Sequence, residues 1–525
     1  MRRPAAAALA ALALGGAFAL SAPSQAAATA PTFTTVKLDG SSGSSEPRAA
    51  VSTTNVHWIT TNAKNGDEVV YRSTDGLAWT QVTKPGNQSS PTTDVDVVTM
   101  PNGRVLTSEL DFAGINFITH VSDDQGKTWT QSTGQTFADT DRQWFAVGPP
   151  LAGAEKPRVY LLFHNLLSGT LQHNMFVSTS TDGGESFGPP IPVATPPQQD
   201  YLDLQCADSG GPSNIFVNPK NGKVSVVFGT RSSPVGGCAA QPVEINVVAA
   251  NRVWVVTADA ADTATPGAWT PSLAVDDTAA GKITGMQLAP GAVDAAGNYY
   301  VAYPESVHDY PDYNGGAIKV VHSADLLTWS APTTIAPAGG VGNILPHIVA
   351  GDAGKLALAW YHGTTGNTWF SYSAQVLDAL SASPHVTTTP LSGVPVEKGT
   401  ASELMGACMQ GSTATLNGFA CGRATDVNGI ALDTCGRLLV TWPAQAGLAS
   451  DATYASQQTA GPRLRSTVCA QSVGKPVQVP VTTPPKTGNT GGGTGLAATG
   501  LPVPLAVTAV LLLVVGAALR RRRSS

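Results

Sequence analysis

Arginine and acidic residues stand at the starts of several short apolar segments, where they could act together on a ligand. Arg48 and Arg142 are two of these arginines, and Asp94 and Asp96 lie between them in the chain. A guanidinium group can hold a planar carboxylate through two parallel hydrogen bonds, and a carboxyl group can donate or accept a proton during bond cleavage. The candidate catalytic residues are therefore Arg48, Asp94, Asp96, Arg142, Arg231 and Arg423.

Metal chemistry has little support in the sequence. The histidines form no H-x-x-x-H pair, and no G-x-S-x-G elbow, P-loop or Rossmann fingerprint occurs. We therefore predict no cofactor and no metal site. Calcium stays an alternative, because carboxylate oxygens are the ligands that Ca²⁺ prefers. The acidic residues that could supply them are Asp309 with Asp312, or Asp200, Asp203 and Asp208.

The first residues read as an export signal. Arg2 and Arg3 precede an apolar run from Ala5 to Leu20, and small residues follow. This order is typical of a secretory signal peptide, which we place at residues 1–28. The run is shorter than the ~20 residues that a spanning helix needs. The sequence therefore predicts an exported protein.

The last residues contain a second candidate targeting signal. Residues 471–495 are rich in Pro, Thr and Gly and predict an extended linker. In residues 496–525, Leu496-Ala497-Ala498-Thr499-Gly500 precedes an apolar segment, 501–519, and four arginines. This order resembles the LAxTG sorting signal that class E sortases of Gram-positive bacteria read. The resemblance implies cleavage between Thr499 and Gly500, attachment to peptidoglycan, and a transmembrane helix over 501–519 in the precursor. The expected location is the cell wall.

Charge and cysteine content narrow the expectations further. The net charge is −6 with 13 % charged residues, and no basic patch indicates a nucleic-acid partner. An even number of cysteines in an exported chain favours disulfides. Six cysteines allow 15 pairings, of which we favour those between sequence neighbours: Cys206–Cys238, Cys408–Cys421 and Cys435–Cys469.

The elements that must position the candidate residues are repeated hairpins. A short strand, a turn with Gly or Asn and a second apolar strand recur, for example around Asn102-Gly103 and Asn221-Gly222. Such turns supply the positive φ of a tight hairpin, and a regular series of hairpins indicates a repeat architecture. We predict an all-β, seven-bladed β-propeller of four-stranded blades over residues 31–470, with a six-bladed, sialidase-type ring as the alternative. The blades are expected at 45–85, 92–135, 141–195, 210–275, 285–336, 345–392 and 425–466.

A second motif follows several hairpins. Ser122-Asp123-Asp124-Gln125-Gly126-Lys127-Thr128-Trp129 has the S-x-D-x-G-x-T-W form of an Asp box, or BNR repeat, and three related copies occur. The chain thus resembles the sialidase-like BNR propellers. Ser and Asp are expected to cap a turn, while the aromatic residue packs on the sheet. The structural residues are Ser73, Asp75, Trp79, Ser122, Asp124, Gly126, Trp129, Ser180, Asp182, Gly184, Phe187, Ser323, Asp325 and Trp329.

The resemblance implies two functions. A sialidase clamps a carboxylate with three arginines and uses a Tyr–Glu pair as nucleophile, for which Glu305 with Tyr303 or Tyr310 is the candidate. However, Arg48 stands in a Pro-Arg-Ala-Ala context, which departs from the family's motif. We therefore favour a non-catalytic propeller that binds a glycan or protein, with an extracellular sialidase-like glycoside hydrolase as the alternative. The expected recognition loop comprises His308, Asp309, Tyr310, Asp312 and Tyr313.

Overall fold

The computed structural model of the 525-residue chain describes fourteen ranges: 30–43, 45–62, 68–82, 94–110, 117–134, 140–165, 173–205, 212–232, 250–285, 288–309, 312–339, 342–406, 429–444 and 448–466. The chain divides into two compact units, Met1–Val473 and Gly474–Ser525, and all the described residues belong to the first. The predicted signal peptide, linker and sorting signal lie outside the described residues.

Strands dominate the described residues and form seven antiparallel sheets, which we call blades 1 to 7. The first strand of the chain, β1 (Thr32–Lys37), belongs to blade 7. Blade 1 contains β2 (Ser45–Val51), β3 (His57–Asn62), β4 (Glu68–Ser73) and β5 (Thr80–Gln81). Blade 2 contains β6 (Val95–Thr99), β7 (Val105–Leu110), β8 (Phe117–Ser122) and β9 (Thr130–Gln131). Blade 3 contains β10 (Thr140–Gly148), β11 (Arg158–Asn165), β12 (Met175–Ser180) and β13 (Ile191–Pro192).

The remaining blades repeat this order. Blade 4 contains β14 (Pro212–Val217), β15 (Val224–Thr230), β16 (Arg252–Ala258) and β17 (Thr270–Asp276). Blade 5 contains β18 (Gly291–Val293), β19 (Tyr299–Glu305), β20 (Ala317–Ser323) and β21 (Thr333–Ala336). Blade 6 contains β22 (Asn343–Ala350), β23 (Leu356–Thr364), β24 (Thr368–Val376), β25 (Val386–Pro390) and the added β26 (Glu397–Lys398). Blade 7 contains β27 (Gly429–Leu432), β28 (Leu438–Ala444) and β29 (Ala452–Ala460).

The blades close into a ring. The first strands of successive blades contact one another, and β27 of blade 7 contacts β2 of blade 1. The ring is also joined by hydrogen bonds, because β1 pairs antiparallel with β29, from Thr32 opposite Ala460 to Lys37 opposite Tyr454. The outermost strand of the last blade thus comes from the start of the described chain. This pairing of residues 32–37 with the end of the propeller was not predicted from the sequence.

These sheets confirm the predicted seven-bladed β-propeller and rule out the six-bladed alternative. Each expected blade range corresponds to one sheet, including blades 4 and 7, which lack a clear Asp box. The strands β1 and β26 lie outside the expected ranges, and β10 and β22 begin one and two residues before theirs. The hairpin pattern predicted the fold because each blade repeats one strand–turn–strand unit.

The core lies between neighbouring blades. All eight residues of β11 are buried, and so are all seven of β15 and of β28. A central strand covered on both faces buries every side chain, which explains runs such as Val-Tyr-Leu-Leu-Phe in place of strict alternation. One apolar cluster, for example, joins Tyr160 of blade 3 to Phe228 of blade 4. The propeller is therefore held together by the contacts between blades.

Two short helices interrupt the described strands: α1 (Gln199–Leu204) before blade 4, and α2 (Ala401–Gly406) before blade 7. No helix in the described ranges is long and apolar enough to cross a membrane. The predicted spanning segment 501–519 is not among those ranges.

We call the end of the ring at which the first strands begin the front, and the opposite end the back. Antiparallel pairing brings the ends of the second strands to the front, as in the pairs Ser45–Asn62 and Thr140–Asn165. The turns between first and second strands lie at the back and contact each other from blade to blade, for example through Thr434 N–H and Asn55 Oδ1 at 3.1 Å. The hairpins between third and fourth strands lie at the back as well. The two ends of the ring therefore carry different segments of each blade.

Candidate functional site

Two similar β-bulges lie at the front of the ring, one in blade 1 and one in blade 3. The pairing register shifts between Ser45 and Arg48 in β2, and between Asp141 and Trp144 in β10. Within these bulges Glu46 and Arg142 have positive φ angles of 51° and 57°. A bulge re-aims the side chains around it, and the left-handed conformation costs a non-glycine residue about 1–2 kcal/mol. Blade 2 lies between blades 1 and 3, and the side chains of Glu46 and Arg142 approach it from either side.

The side chains meet around Asp94, which directly precedes β6. The Asp94 carboxyl group interacts with the neighbouring side chains of Glu46, Asp141 and Arg142. Arg142 Nη1 lies 4.0 Å from Glu46 Oε1. Burial raises the pKa of Asp94, whose residue is only 4 % exposed, and the neighbouring Asp141 raises it further, while the charge of Arg142 opposes the rise. The front of blades 1 to 3 therefore brings three carboxyl groups and one guanidinium close together.

Two histidines lie behind this group. His164 Nε2, at the end of β11, is 3.5 Å from Asp141 Oδ2. Its ring packs edge-to-face on that of His173, with centroids 5.5 Å apart. Burial lowers the pKa of each to about 3, helped by the charge of Arg142 at His164. Both imidazoles are therefore neutral near pH 7. We call Glu46, Asp94, Asp141, Arg142 and His164 the mouth cluster.

A second layer lies one step deeper along the first strands. Arg48 Nε donates to Asp96 Oδ1 at 3.0 Å, and the Arg48 guanidinium stacks on the Trp144 ring with Cζ 4.5 Å from its centroid. Asp96 Oδ2 also accepts the Phe145 N–H at 2.7 Å. Burial raises the pKa of Asp96, and the charge of Arg48 opposes that shift. These contacts tie blades 1, 2 and 3 together and fix the Arg48 guanidinium in place.

The buried His347 of blade 6 is electrostatically coupled to Arg48. Burial lowers its pKa well below the usual value, and the Arg48 charge lowers it further. The third matching bulge contains Leu345, at φ 52°. Because Leu345 is apolar, the bulge itself belongs to the fold, whereas the charged residues at the corresponding places in blades 1 and 3 are particular to those blades.

The other candidate arginines are placed differently. Arg231 Nη1 forms an ion pair with Asp309 Oδ2 at 2.8 Å, joining the front of blade 4 to that of blade 5. Arg423 lies outside the described residues. Within the described ranges, therefore, the structure brings Arg48, Asp94, Asp96 and Arg142 to blades 1 to 3 and holds Arg231 at blades 4 and 5. Convergence of three arginines stays a prediction.

The candidate nucleophile pair lies in blade 5. Glu305 contacts two lysines, with 3.1 Å from Oε2 to Lys282 Nζ and 3.7 Å from Oε1 to Lys319 Nζ. Tyr303 is fully buried in the apolar cluster between blades 4 and 5, and burial raises the pKa of its hydroxyl group. In this structure the Tyr303 hydroxyl is therefore covered from solvent. Tyr310, the other candidate, lies outside the described residues.

The predicted recognition loop is partly described. His308 and Asp312 are exposed, and Asp309 is half-buried in its ion pair with Arg231. Tyr313 is 2 % exposed and packs in an apolar cluster that includes Leu345, so its ring anchors the segment. A role for His308, Asp309 and Asp312 in binding stays a prediction.

The four aspartates of the predicted Asp boxes lie in back turns. Asp124 Oδ1 accepts the N–H groups of Lys127 and Thr128 at 3.0 and 2.9 Å, and Ser122 Oγ accepts the Gly126 N–H at 2.9 Å. Hydrogen bonds from Thr128 lower the pKa of Asp124 to about 2. Similar serine and aspartate bonds to turn N–H groups occur in the boxes that contain Ser73, Asp75, Trp79, Ser180, Asp182, Gly184, Phe187, Ser323, Asp325 and Trp329.

Neither predicted calcium set forms a described metal cluster. Asp203 accepts from Arg252 Nη1 at 3.1 Å, Asp309 is paired with Arg231, and Asp208 is not described. No group of three His, Cys, Asp or Glu side chains in the described ranges is arranged to hold a metal ion. Cys435 is disulfide-bonded. The other five cysteines are not described, so the three pairings stay predictions.

Sequence reasoning missed His164 and His173. The segment Phe-His-Asn…His-Asn-Met-Phe contains two His-Asn dipeptides, one at the end of β11 and one directly before β12. Two polar dipeptides at facing strand ends, each beside an apolar run, would have placed both histidines at the front of blade 3. The stacking of Arg48 on Trp144 had no such signal, because the two residues come from different blades.

Comparisons with known proteins show similarity in fold. No family model matches the sequence, and no curated protein does. A solved ulvan lyase of polysaccharide lyase family 25, bound to -[GlcA(1-4)Rha3S]-, matches with a TM-score of 0.51 and 10 % identity over 81 % of this chain and 96 % of that one. This likeness supports the fold alone.

Two further structures have lower scores. An α-L-arabinanase of Penicillium chrysogenum complexed with arabinobiose matches with a TM-score of 0.42 and 11 % identity, over 83 % of this chain and 99 % of the arabinanase. A Hadza microbial sialidase matches with a TM-score of 0.40 and 11 % identity, over 77 % and 76 %. The seven sheets show that the chain is a seven-bladed β-propeller.

Proposed function

We propose that this propeller binds a glycan at the front of blades 1 to 3, without catalysis. The observation that carries the proposal is the mouth cluster, in which blades 1, 2 and 3 each contribute a carboxyl group. Carboxylates and guanidinium groups are the charged partners that sugar hydroxyls and acidic sugar substituents can hydrogen-bond. Ligands of propellers lie at the central channel, where the first strands begin.

The burial of the cluster decides how a glycan would make contact. Asp94 is nearly inaccessible, whereas the Asp141 side chain is 21 % exposed and Arg142 is 12 % exposed. Asp141 is thus the group that a sugar meets first. The Arg142 and Glu46 side chains, 12 % and 10 % exposed, are about equally accessible, and Asp94 lies behind them. In the deeper layer, Arg48 is 21 % exposed and is held in one orientation by Asp96 and Trp144. A fixed guanidinium loses little freedom when a ligand binds.

Binding of the protein to immobilised glycans tests the proposal. The purified protein is applied to a glycan array beside Asp141→Asn, which keeps the side-chain shape but removes the charge. A matched control is Asp259→Asn at the back, where Asp259 is 62 % exposed and pairs with Lys223. We expect array signals that fall at least about tenfold in Asp141→Asn, the loss of one charge-assisted hydrogen bond, and persist in the control. Equal loss in both variants, or no signal from the unmodified protein, contradicts glycan binding at the mouth.

A glycoside hydrolase is the second candidate, and one observation favours it. Asp94 is a buried carboxyl group with a raised pKa beside a second carboxyl group, the environment that lets an acid donate its proton near neutral pH. Fluorogenic glycosides, including a sialoside, are incubated with the protein and with Asp94→Asn. Turnover that Asp94→Asn abolishes would establish the enzyme. Absence of turnover across the panel leaves the binding function.

We also propose display at the cell wall. The proposal rests on the signal-like residues 1–28, the linker 471–495 and the Leu496–Gly500 sorting motif. In a Gram-positive host with a class E sortase, the protein should fractionate with peptidoglycan, whereas Thr499→Ala should leave it in the membrane or medium. An equal distribution of both proteins would exclude sortase attachment.

A further inference from the structure

The first strand of the described chain begins, and the last one ends, at the back of the ring. The strand β29 runs from front to back, because its first residue pairs with Ala444, the front end of β28. The strand β1 begins at the back, with Thr32 opposite Ala460. Directly after β29, a Cβ atom at Gly461 would lie 2.6 Å from Pro31 Cα. The chain therefore enters and leaves blade 7 at the back.

After β29 the chain stays at the back. Six extended residues reach roughly 20 Å, about the height of a blade, but residues 461–466 cross the back turns of blades 7 and 6 instead. Leu464 N–H donates to Gly436 O in the turn of blade 7 at 2.8 Å. Leu464 O accepts the N–H of Asp352 in the turn of blade 6 at 2.7 Å. The Leu464 side chain is fully buried in an apolar cluster with residues of both blades. We call residues 461–466 the back strap.

Polar contacts and two glycines hold the back strap against these turns. Ser466 N–H donates to Asp352 Oδ2 at 2.8 Å, and Lys355 Nζ donates to Ser466 Oγ at 3.3 Å. Gly351, in the turn of blade 6, and Gly436, in that of blade 7, have no room for a Cβ atom, because the backbone of the strap lies against them. The last described residue, Ser466, is thus fixed at the back of blade 6.

The distance from the back strap to the front is large for a short linker. Ser466 contacts the turn between the first and second strands of blade 6, near the channel. From there to the front around the outer edge, a chain crosses the width and the height of a blade, roughly 35 Å together. A Gly-rich chain as long as the predicted linker, residues 471–495, has a root-mean-square span of roughly 25–30 Å. Attachment through the back strap therefore favours an orientation with the back toward the attachment point.

We propose that the wall-attached protein keeps the back of the ring toward the cell wall and presents the mouth cluster to the surroundings. The inference rests on the proposed wall display and adds its orientation. The glycan that meets the mouth then comes from the medium or from the surface of another cell. The cell's own peptidoglycan faces the capped turns of the back.

Two exposed apolar side chains of blade 5 provide a matched pair of probes. Val307, 66 % exposed, follows β19 at the front, and Leu327, 87 % exposed, lies in the turn between β20 and β21 at the back. Val307→Cys and Leu327→Cys of the full chain are expressed in a Gram-positive host with a class E sortase. Intact cells are treated with a maleimide coupled to a protein-sized carrier, and the reference is the same protein released by digestion of the wall. The unmodified protein gives the background from the native cysteines.

The two positions should differ on cells, because the wall shields the back from the carrier. We expect Val307→Cys to be labelled on cells as fast as after release, and Leu327→Cys severalfold more slowly than after release. Asp312→Cys at the front and Asp259→Cys at the back, both exposed, repeat the comparison if either variant does not fold.

The failures of the two proposals are distinguishable. If the ratio of the front and back labelling rates is the same on cells and after release, or if the back is labelled faster on cells, the orientation is overturned while the wall display stands. If the protein does not fractionate with peptidoglycan, the wall display fails and the orientation fails with it.

Discussion

Aspartates at the two ends of the ring have opposite environments. At the back, Asp124 is partly exposed and Asp325 is exposed, and both accept backbone N–H groups of their own turns, which lower their pKa. At the front, Asp94 and Asp96 are buried, and burial raises their pKa. At the back, the N–H groups of the turns and the solvent stabilise the ionised form of the aspartate. At the front, burial between neighbouring blades disfavours the ionised form. The capped turns at the back stabilise the fold. The buried carboxyl groups with raised pKa values at the front identify the candidate site.

The largest expected effect of a substitution at neutral pH comes from removing a front aspartate. Asp96→Ala leaves the Arg48 guanidinium and the Phe145 N–H without their acceptor, and Asp96 is 3 % exposed. We expect a loss of about 3 kcal/mol in the free energy of unfolding, because breaking a buried ion pair strands the other charge. Denaturant unfolding measures it. Asp96→Asn, which keeps an acceptor for Phe145, should lose less, and equal losses would show that the hydrogen bonds are unimportant.

Acid should weaken the front next. The folded-state pKa of His164 is about 3, below the 6.5 of an unfolded histidine. The unfolded chain therefore binds more protons, so this contribution to stability is complete above pH 6.5 and is lost as the pH falls from 6.5 toward 3. One histidine gives a slope of about 1.4 kcal/mol per pH unit. His164→Gln should flatten the stability–pH curve in this range. An unchanged slope would contradict neutral burial of His164.

A back turn should matter less. Asp182 Oδ1 accepts the Ser186 N–H at 3.0 Å and caps one hairpin. We expect Asp182→Ala to cost about 1 kcal/mol of unfolding free energy, as for other side-chain caps of backbone N–H groups. The loss should not change between pH 5 and 8, because hydrogen bonds already hold the pKa of Asp182 below its usual value. A loss as large as that of Asp96→Ala would remove the difference between the two ends.

The smallest effect is expected at the rim of blades 4 and 5. Burial and the charge of Glu305 raise the pKa of Asp277 to about 6. Because the folded-state pKa lies above the unfolded value, stability is lost as the pH rises from about 3.8 to about 6, and the loss is complete above pH 6. Asp277→Asn should therefore be a few tenths of a kcal/mol more stable than the unmodified protein at pH 8 and equal to it at pH 4. Thermal melts at the two pH values check this.

Much of the fold could be predicted from local sequence, and much of the site could not. The hairpin turns and apolar runs repeat along the chain, so each blade was recognisable by itself. Closure through β1 depends on the pairing of residues 32–37 with 454–460, which no local pattern records. Asp94 and Asp96 were visible at the start of an apolar segment. The approach of Glu46 and Asp141 to Asp94, however, depends on two bulges and three blades. Contacts of this kind join residues that are far apart in the chain, and local patterns in a single sequence do not show which distant residues pack together.

The position of a bound glycan tests the central claim most directly. Crystals of the protein grown with the strongest array glycan should show the sugar at the front of blades 1 to 3, with its hydroxyl groups within hydrogen-bonding distance of Asp141 or Arg142. A sugar seated instead in the turns at the back, or on the outer strands with the mouth empty, would contradict the account.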